Sequence, residues 1–563
     1  MNLKKDKGCD ILVKNLLIER VEYLFGYPGG AIMPVYDSLD RHADNICHIL
    51  TRHEQGAIHA AQGYARVSGK VGVCISTSGP GATNLITGLA DALIDSTPII
   101  CITGQVSYNL LGTDAFQETN ILDLSFPVTK WNVQITKAQD ICKTIRKSFD
   151  IARSGRPGPV LIDITKDAQL QEAIFEEILF HQVSYFRSLP KVEVNKIEEA
   201  AILINAAKRP LILVGQGVIL AEAEEELKAL SEKANIPIAS TLLGLGIIDN
   251  NHPLFVGMIG MHGHYAPNVL TNQCDILIAI GMRFDDRVTG NINIYAIQAK
   301  IIHLEIEACE IGKNIPCVVP VLGDCKKTLP LLTERVQENI RKEWISYFIT
   351  IQKQEEKIVQ KDLYPKKESL TMGEIIQWIN QYKNQNAVMV TDVGQHQMIA
   401  SRYFYFSYSK SQITSGGLGT MGFSLPAAIG SQLGAIYRQI ICVIGDGGFQ
   451  MTFQELGILL KNNLPIKIVL LNNGFLGMVR QWQELFFKRR YAFSALLNPD
   501  FIRLAQAYNI SGKKIEKRKK IPEAVKEMFE CNTAYLLEII VEREYNVFPM
   551  ITIGASVDEI RLY

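Results

Sequence analysis

Two short polar clusters in this sequence close apolar runs. IICVIGDGGF carries Asp446 between Gly445 and Gly447, and IKIVLLNNGF carries Asn472 and Asn473. Asn473 follows Asp446 by 27 residues, close to the roughly 30 of a strand–helix–strand unit. A right-handed crossover then sets both residues at the carboxyl ends of parallel strands, the crevice where open α/β sheets bind ligands. A carboxylate oxygen, an amide oxygen and the carbonyl of Phe475 are hard ligands of the kind Mg²⁺ takes, with diphosphate oxygens and water to complete the shell. The flanking glycines allow the backbone to approach phosphate closely. Either cluster alone is an ordinary turn; at this spacing the two together read as a metal–diphosphate site.

The elements that must position these residues follow from the apolar runs. VGVCIS (71–76), PIICIT (98–103), PVLIDI (159–164), PLILVG (210–215), DILIAIG (275–281), KIIHLEI (300–306), AVMVTD (387–392), IICVIGD (440–446), IKIVLLN (466–472) and YLLEII (535–540) are bounded by Gly, Pro, Asp or Asn. Such runs read as buried parallel strands, and the stretches between them are long enough for crossover helices. A helix is expected from about Thr452 to Lys461. The class is α/β with several open, mostly doubly wound parallel sheets. Residues 168–197 lose the strand–helix rhythm and residues 350–371 are strongly charged, so both read as linkers. They divide the chain into 1–170, 190–340 and 370–545, with a tail at 546–563. The first and third parts could share a fold without sharing sequence.

The 563 residues carry 58 basic and 58 acidic side chains. That balance gives no general attraction to nucleic acid or an anionic membrane, and no apolar run reaches the ~18 residues of a membrane span. The 11 cysteines contain no C-x-x-C pair, which fits a reducing compartment rather than a disulfide framework. Cys309, Cys317 and Cys325 read as small apolar fillers. No signal or transit peptide is visible at the N-terminus. Several glycine patterns are decoys. Gly417, Gly419 and Gly422 form G-x-G-x-x-G but follow a polar Thr-Ser rather than a buried strand. Gly63–Lys70 has the wrong spacing for a P-loop. His53-Glu54 starts like a zinc helix, but His59 comes six residues on and faces elsewhere.

The GDG…NN pair is the fingerprint of thiamine-diphosphate enzymes. Through TRHEQGAIHAAQGYAR, TSGPGATN, GTDAFQET, SGRPGPVLIDITKD, GMHG, RFDDRVTGN, TDVGQHQM, ITSGGLGTMGFSLPAAIG and NNGFLGMVRQWQ, the chain resembles the acetolactate synthase (acetohydroxyacid synthase) catalytic-subunit family along nearly its whole length. The resemblance implies thiamine-diphosphate-binding domains at both ends, flanking a Rossmann-like FAD domain. It implies decarboxylation of pyruvate and condensation with a second 2-ketoacid, an early step of branched-chain amino acid synthesis. Glu54 matches the glutamate that pairs with the aminopyrimidine of thiamine, and Gly30, Gln105 and Lys166 match other catalytic positions. Gly394, Gln395, His396, Gly419, Met421, Gly445, Gly447, Gly448 and Met478 match contacts to the cofactor, with Asp446, Asn473 and Phe475 as the metal ligands.

For FAD, a structural rather than redox cofactor in the family, the matching positions are Arg156, Gly215, Gly217, Thr241, Leu242, Gly260, Met261, His262, Gly263, Gly281, Arg283, Asp285, Arg287, Glu305, Ile306 and Asp324. Phe116, Arg287 and Trp482 match substrate positions. Trp482 is four residues from Met478, so the two share a helix face; the resemblance has Trp482 favouring 2-ketobutyrate over a second pyruvate as acceptor. Glu54 and the metal site fall in different domains, and in the family they meet across a subunit interface. A homodimer or dimer of dimers and a small regulatory subunit are therefore expected. So is a bacterial cytoplasmic or plastid-stromal location. Related thiamine enzymes such as pyruvate oxidase, and a non-catalytic homologue, are the alternatives; the retained Glu54, Asp446 and Asn473 speak against the latter.

Overall fold

A computed structural model of the protein describes residues 5–175 and 189–563. It holds three six-stranded sheets, each parallel throughout. All ten apolar runs form strands, and they are chiefly the interior ones. In the first sheet the spatial order is Cys47–Leu50, Tyr23–Gly26, Gly72–Ser76, Ile99–Gln105, Pro159–Thr165, Trp131–Ile135. In the third it is Gln412–Thr414, Val388–Thr391, Ile440–Gly445, Lys467–Asn472, Tyr535–Ile540, Ser511–Ile515. Numbered within each domain, both read 2-1-3-4-6-5, so the outer domains share a topology. The middle sheet reads 3-2-1-4-5-6, the order of a Rossmann dinucleotide fold.

The two outer sheets are joined through one apolar core. Helix Glu54–Ser68 crosses helix Ser424–Gly434 so closely that a Cβ on Gly63 would run into the carbonyl of Ala427, and one on Gly430 into that of Ala60. Phe25, Ile58 and Leu89 of the first domain and Phe423, Ile444 and Phe449 of the third belong to the same buried cluster. Gly63 is thus a helix-crossing residue, not part of a phosphate loop.

Four expectations need correction. The helix after Asp446 begins at Asp446 itself (Asp446–Thr452) and resumes, after a 3₁₀ turn, at Leu456–Lys461. Residues 350–371 are no free linker: helices Lys342–Gln352 and Glu356–Leu363 occupy much of this region. Their charges include buried ones. Glu355 pairs with Arg402 at 2.8 Å and accepts from the Tyr265 amide at 2.7 Å, tying the middle domain to the third. Asp362 accepts from the hydroxyls of Tyr403 and Tyr545 at 2.8 and 2.6 Å. Such buried, paired charges resemble a solvated linker in composition alone. Within 168–197, strand Glu172–Ile174 pairs antiparallel with Lys5–Lys7 and helix Val194–Ala206 begins the middle domain; residues 176–188 of that stretch lie outside the described residues. Finally, Cys309 is exposed and Cys317 half-buried, so of the three evenly spaced cysteines only Cys325 fills a core.

The tail lies on the middle domain. Ile551, Val557 and Ile560 join its core, and the Ile551 amide donates to the Met261 carbonyl at 2.9 Å. No helix among the described residues is long and apolar enough to cross a membrane.

Candidate active site

The ends of strands Ile440–Gly445 and Lys467–Asn472 lie side by side in register. Asp446 is buried, and its Oδ2 accepts from the Gly474 amide at 3.0 Å and from Asn498 Nδ2 at 2.7 Å. Burial pushes its carboxyl up to about 6, because desolvation disfavours the charge and no side-chain cation offsets it. An acid in that state suits a divalent cation. Asn473 Oδ1 accepts from the Phe475 amide at 3.1 Å, which leaves it a second lone pair. Its neighbour Asn472 is structural, donating to Glu538 Oε1 at 2.8 Å. Asn498 went unread in the sequence: it lies in a loop with no periodic signal, far along the chain from both residues it supports.

His396 faces the same strand end. Its Nε2 has no partner among the described residues, and burial pushes its ring down to about 4, so the imidazole is neutral. A Cβ on Gly394 would lie 2.9 Å, and one on Gly445 2.8 Å, from that ring. The glycines therefore form a cradle whose one unpaired side-chain nitrogen can serve a phosphate. Gly448 is glycine for another reason, since a Cβ there would strike the Asp392 carboxylate. Asp392 in turn gathers the amides of Val393, Gly422 and Ser424, which fixes the Gly419–Met421 segment; a Cβ on Gly447 would stand 3.4 Å from the Met421 methyl. These residues fit a metal diphosphate.

In the first domain, Glu54 opens helix Glu54–Ser68 and is 9% exposed. Its Oε2 accepts from Asn84 Nδ2 at 2.9 Å. His53 Nδ1 caps the helix by accepting from the Gln55 amide, and His59 packs edge-on against Phe423, so the two histidines share no site. Gln105 ends its strand with its amide engaged: Nε2 donates to Thr119 O and to Asp163 Oδ2, and Oε1 accepts from the Val106 amide. Gly30 and Lys166 are exposed, and Phe116 is 87% exposed. Within one chain, no hydrogen bond among the described residues joins Glu54, Gln105 or Lys166 to Asp446 or Asn473.

A cavity of about 1000 Å³ runs along the middle domain. Its wall includes Arg156, Gly215, Gly217, Thr241, Leu242, Gly260, Met261, His262, Gly281, Arg283, Asp285, Arg287, Glu305, Ile306 and Asp324, and it extends to Gly394, Gly419, Met478 and Trp482. One space thus connects the middle domain's strand ends to the third domain. Gly263 is not on the wall; its carbonyl accepts from Arg402 at 2.8 Å. Glu305 is pushed up to about 7 by burial although its Oε1 accepts two amides. His262 donates from Nδ1 to Pro549 O at 3.2 Å, while its Nε2 has no partner among the described residues. Asp285 caps the short helix Asp286–Thr289 and Asp324 caps helix Cys325–Arg335, and Arg287 is exposed with Asp286 at 3.5 Å. Arg156 is held by Ser96, by Ile94 O and by Glu310 at 3.2 Å; Glu310, also on the wall, was unread because it is one acid among many on a charged surface segment. A cavity of this size at Rossmann strand ends, with the unpartnered Nε2 of His262 on its wall, fits a dinucleotide.

Comparison with known families agrees with this division. The N-terminal thiamine pyrophosphate (TPP) binding domain of thiamine pyrophosphate enzymes matches residues 6–124, their central domain 197–332 and their C-terminal TPP binding domain 392–539. The chain is 44% identical to a probable acetolactate synthase large subunit of Methanococcus aeolicus, covering 98% of this chain and 95% of that one. It is 43% identical to the acetolactate synthase isozyme 2 large subunit of Escherichia coli, covering 98% of both. It belongs to the acetolactate synthase large-subunit family. Identity with the Lactococcus lactis acetolactate synthase large subunit is 40%, again over nearly the whole length of both chains. The sheets that build the two TPP-binding domains of an acetolactate synthase are here the two that share a strand order.

Proposed function

We propose that this chain is the catalytic subunit of an acetolactate synthase, which decarboxylates pyruvate and joins the remaining two-carbon unit to a second pyruvate or to 2-ketobutyrate. The observation that carries the reading is the buried Asp446 beside Asn473 and the unpaired His396, whose neighbour Gly394 lies on the wall of the cavity that reaches Met478 and Trp482. Bound thiamine diphosphate supplies the electron sink and nucleophilic carbon for such chemistry. Asp446, Asn473 and the Phe475 carbonyl would hold Mg²⁺, and His396 with the Gly394 and Gly445 backbone would receive the diphosphate. Glu54, held by Asn84 Nδ2 at 2.9 Å, is the carboxyl that would hydrogen-bond the aminopyrimidine. Met478 and Trp482 offer apolar bulk to the acceptor's side chain, and Arg287 a cation for its carboxylate.

FAD would occupy this cavity as a structural cofactor, where Glu305 could accept from a ribose hydroxyl and Arg156 could offer its cation to a phosphate. A second copy of the chain would supply Glu54 opposite Asp446. The exposed Phe116 and Phe126 of the first domain are suited to that contact. A small regulatory subunit is the partner implied by relatives named as large subunits.

The test is product analysis with pyruvate, with and without 2-ketobutyrate, on wild type and Glu54→Gln. Wild type should yield acetolactate and acetohydroxybutyrate. The variant should bind thiamine diphosphate but turn over roughly 10²–10⁴-fold more slowly, the usual weight of a positioned proton-transfer group. Acetaldehyde or acetyl phosphate as the main wild-type product would point to a related decarboxylase or oxidase instead.

A further inference from the structure

Three buried carboxamides form a chain from the proposed metal site to the C-terminal segment. Asn473 Nδ2 donates to Gln395 Oε1 at 3.3 Å. Gln395 Nε2 donates to Gln481 Oε1 at 3.0 Å and to the Tyr545 carbonyl at 2.8 Å. Gln481 then pairs with both sides of the Val547 backbone: the Val547 amide donates to Oε1 at 2.8 Å, and Nε2 donates to the Val547 carbonyl at 3.2 Å. Gln481 is fully buried, and Gln395 and Asn473 are 2% and 6% exposed.

A carboxamide can present either its oxygen or its NH₂ group, and only the oxygen ligates a cation. Each link in this chain removes that freedom from the next. A backbone amide cannot reverse, so Val547 fixes which end of Gln481 carries oxygen. That oxygen, with Tyr545 O, requires the NH₂ of Gln395 on its side and so turns the Gln395 oxygen toward Asn473. The Asn473 NH₂ is thereby occupied, and its oxygen, which also accepts from the Phe475 amide, keeps its second lone pair for the metal. Reversing any one member would set donor against donor inside a dry site, where an unmade hydrogen bond costs the full desolvation penalty.

We propose that Gln481 is a positioning residue that carries the backbone polarity of Val547 through Gln395 to Asn473, so that the C-terminal segment sets the affinity for the catalytic cation. The proposal rests on the metal reading given above. It makes the stretch around Tyr545–Val547 an outer support of the metal site, although it lies some seventy residues from Asn473 in sequence.

The experiment is calorimetric titration of Mg²⁺ into the full-length chain at saturating thiamine diphosphate, with acetolactate formation followed against Mg²⁺ concentration. Gln481→Met keeps the volume and removes both hydrogen-bonding ends. It should weaken Mg²⁺ binding roughly 10- to 100-fold, the usual effect of losing a supporting partner of a metal ligand, with turnover recovered at high Mg²⁺. Gln395→Met combined with Gln481→Met should be no weaker than Gln395→Met alone, since both break one path. Should Gln481→Met not fold, Gln481→Glu carries the test, because as a buried carboxylic acid it retains the oxygen that receives Gln395 and Val547 and an O–H that can donate to the Val547 carbonyl; it should bind Mg²⁺ within about threefold of wild type at a pH low enough to keep that acid neutral. Wild-type affinity in Gln481→Met, independent effects in the double variant, or a tenfold loss in Gln481→Glu would overturn the relay. Asn473→Ala separates the two ideas: if it too leaves Mg²⁺ binding unchanged, the metal assignment itself is wrong.

Discussion

The first and third sheets share the strand order 2-1-3-4-6-5 and one apolar core, yet they end in different chemistry. In the third domain, the strand in place three runs into Asp446 and the strand in place four into Asn472 and Asn473. In the first, the same places lead to Thr77 and to Gln105. The sixth strand of each carries a buried acid that braces the fourth: Glu538 receives Asn472 Nδ2, and Asp163 receives Gln105 Nε2 and Thr103 Oγ1. Topology therefore fixes where a side chain can meet a ligand, and even how it is braced, while the residue type decides what it meets. One half offers an oxygen set for a cation. The other offers spent amides at its strand ends and keeps its titratable group, Glu54, on a helix.

The largest test of that contrast is to remove the acid from one half only. Asp446→Ala should abolish measurable Mg²⁺-dependent thiamine diphosphate binding, an effect beyond the roughly 10- to 100-fold expected for a supporting residue. Thr77→Val, at the corresponding strand end of the first domain, loses only the bond from the Ala31 amide and should leave Mg²⁺ affinity unchanged. Calorimetry on both variants makes the comparison. Equal losses would mean that the two strand ends act as one site.

A second test uses pH. Burial raises both Asp446 and Asp163 to about 6, although Asp163 is surrounded by three neutral donors, Thr103, Gln105 and Gln134. Each folded carboxyl holds its proton to higher pH than an unfolded one near 3.8. Its contribution to stability is therefore complete below pH 3.8 and is lost as pH rises through about 6, a change of about 3 kcal/mol for each group. Denaturant unfolding of the cofactor-free chain should show that decline. Mg²⁺ with thiamine diphosphate should cancel the share due to Asp446, because the cation stabilises its ionised form. The share due to Asp163 should persist, and Asp163→Asn should remove it. A decline that the cofactor leaves untouched in both wild type and Asp163→Asn would break the distinction between an acid that a cation ionises and one held by neutral donors alone.

The sequence made the interior of each sheet legible because buried parallel strands are unbroken apolar runs. The edges were not, since Trp131–Ile135 and Ser511–Ile515 are half-exposed and polar, and the interior strand Ile238–Ser240 escaped because it is only three residues long. The pair proposed here as metal ligands could be named because its residues sit at fixed offsets from two such runs. Gln395 was carried over by resemblance as a cofactor contact, but Asn498 and Gln481 escaped, being neutral amides whose partners lie far along the chain. The stretch around Glu355 and Asp362 misled for a related reason. Charge along the chain looks the same whether it is solvated or buried against Arg402 and two tyrosines, and only the fold tells them apart. Gly30, Lys166 and Phe116, carried over by resemblance alone, lie on the surface of the single chain, where no local pattern marks a site.

The smallest expected effect concerns the contact that makes the two halves one body. Gly430 and Gly63 face backbone, not flexible side chains, across the helix crossing. Gly430→Ala would improve helix propensity by roughly 0.8–1.0 kcal/mol in an isolated helix, but its methyl would meet the Ala60 carbonyl and force the helices apart. Overpacking of this kind costs about 1–3 kcal/mol, so the net loss in denaturant unfolding should be about 1–2 kcal/mol. Because the strain falls between the halves and not at either strand end, Mg²⁺ affinity at the Asp446 site should stay within about threefold of wild type. A stabilised Gly430→Ala chain would mean that the crossing has slack. A large fall in Mg²⁺ affinity would instead mean that the two sheets share more than a core, and that the position of the first helps to shape the site of the third.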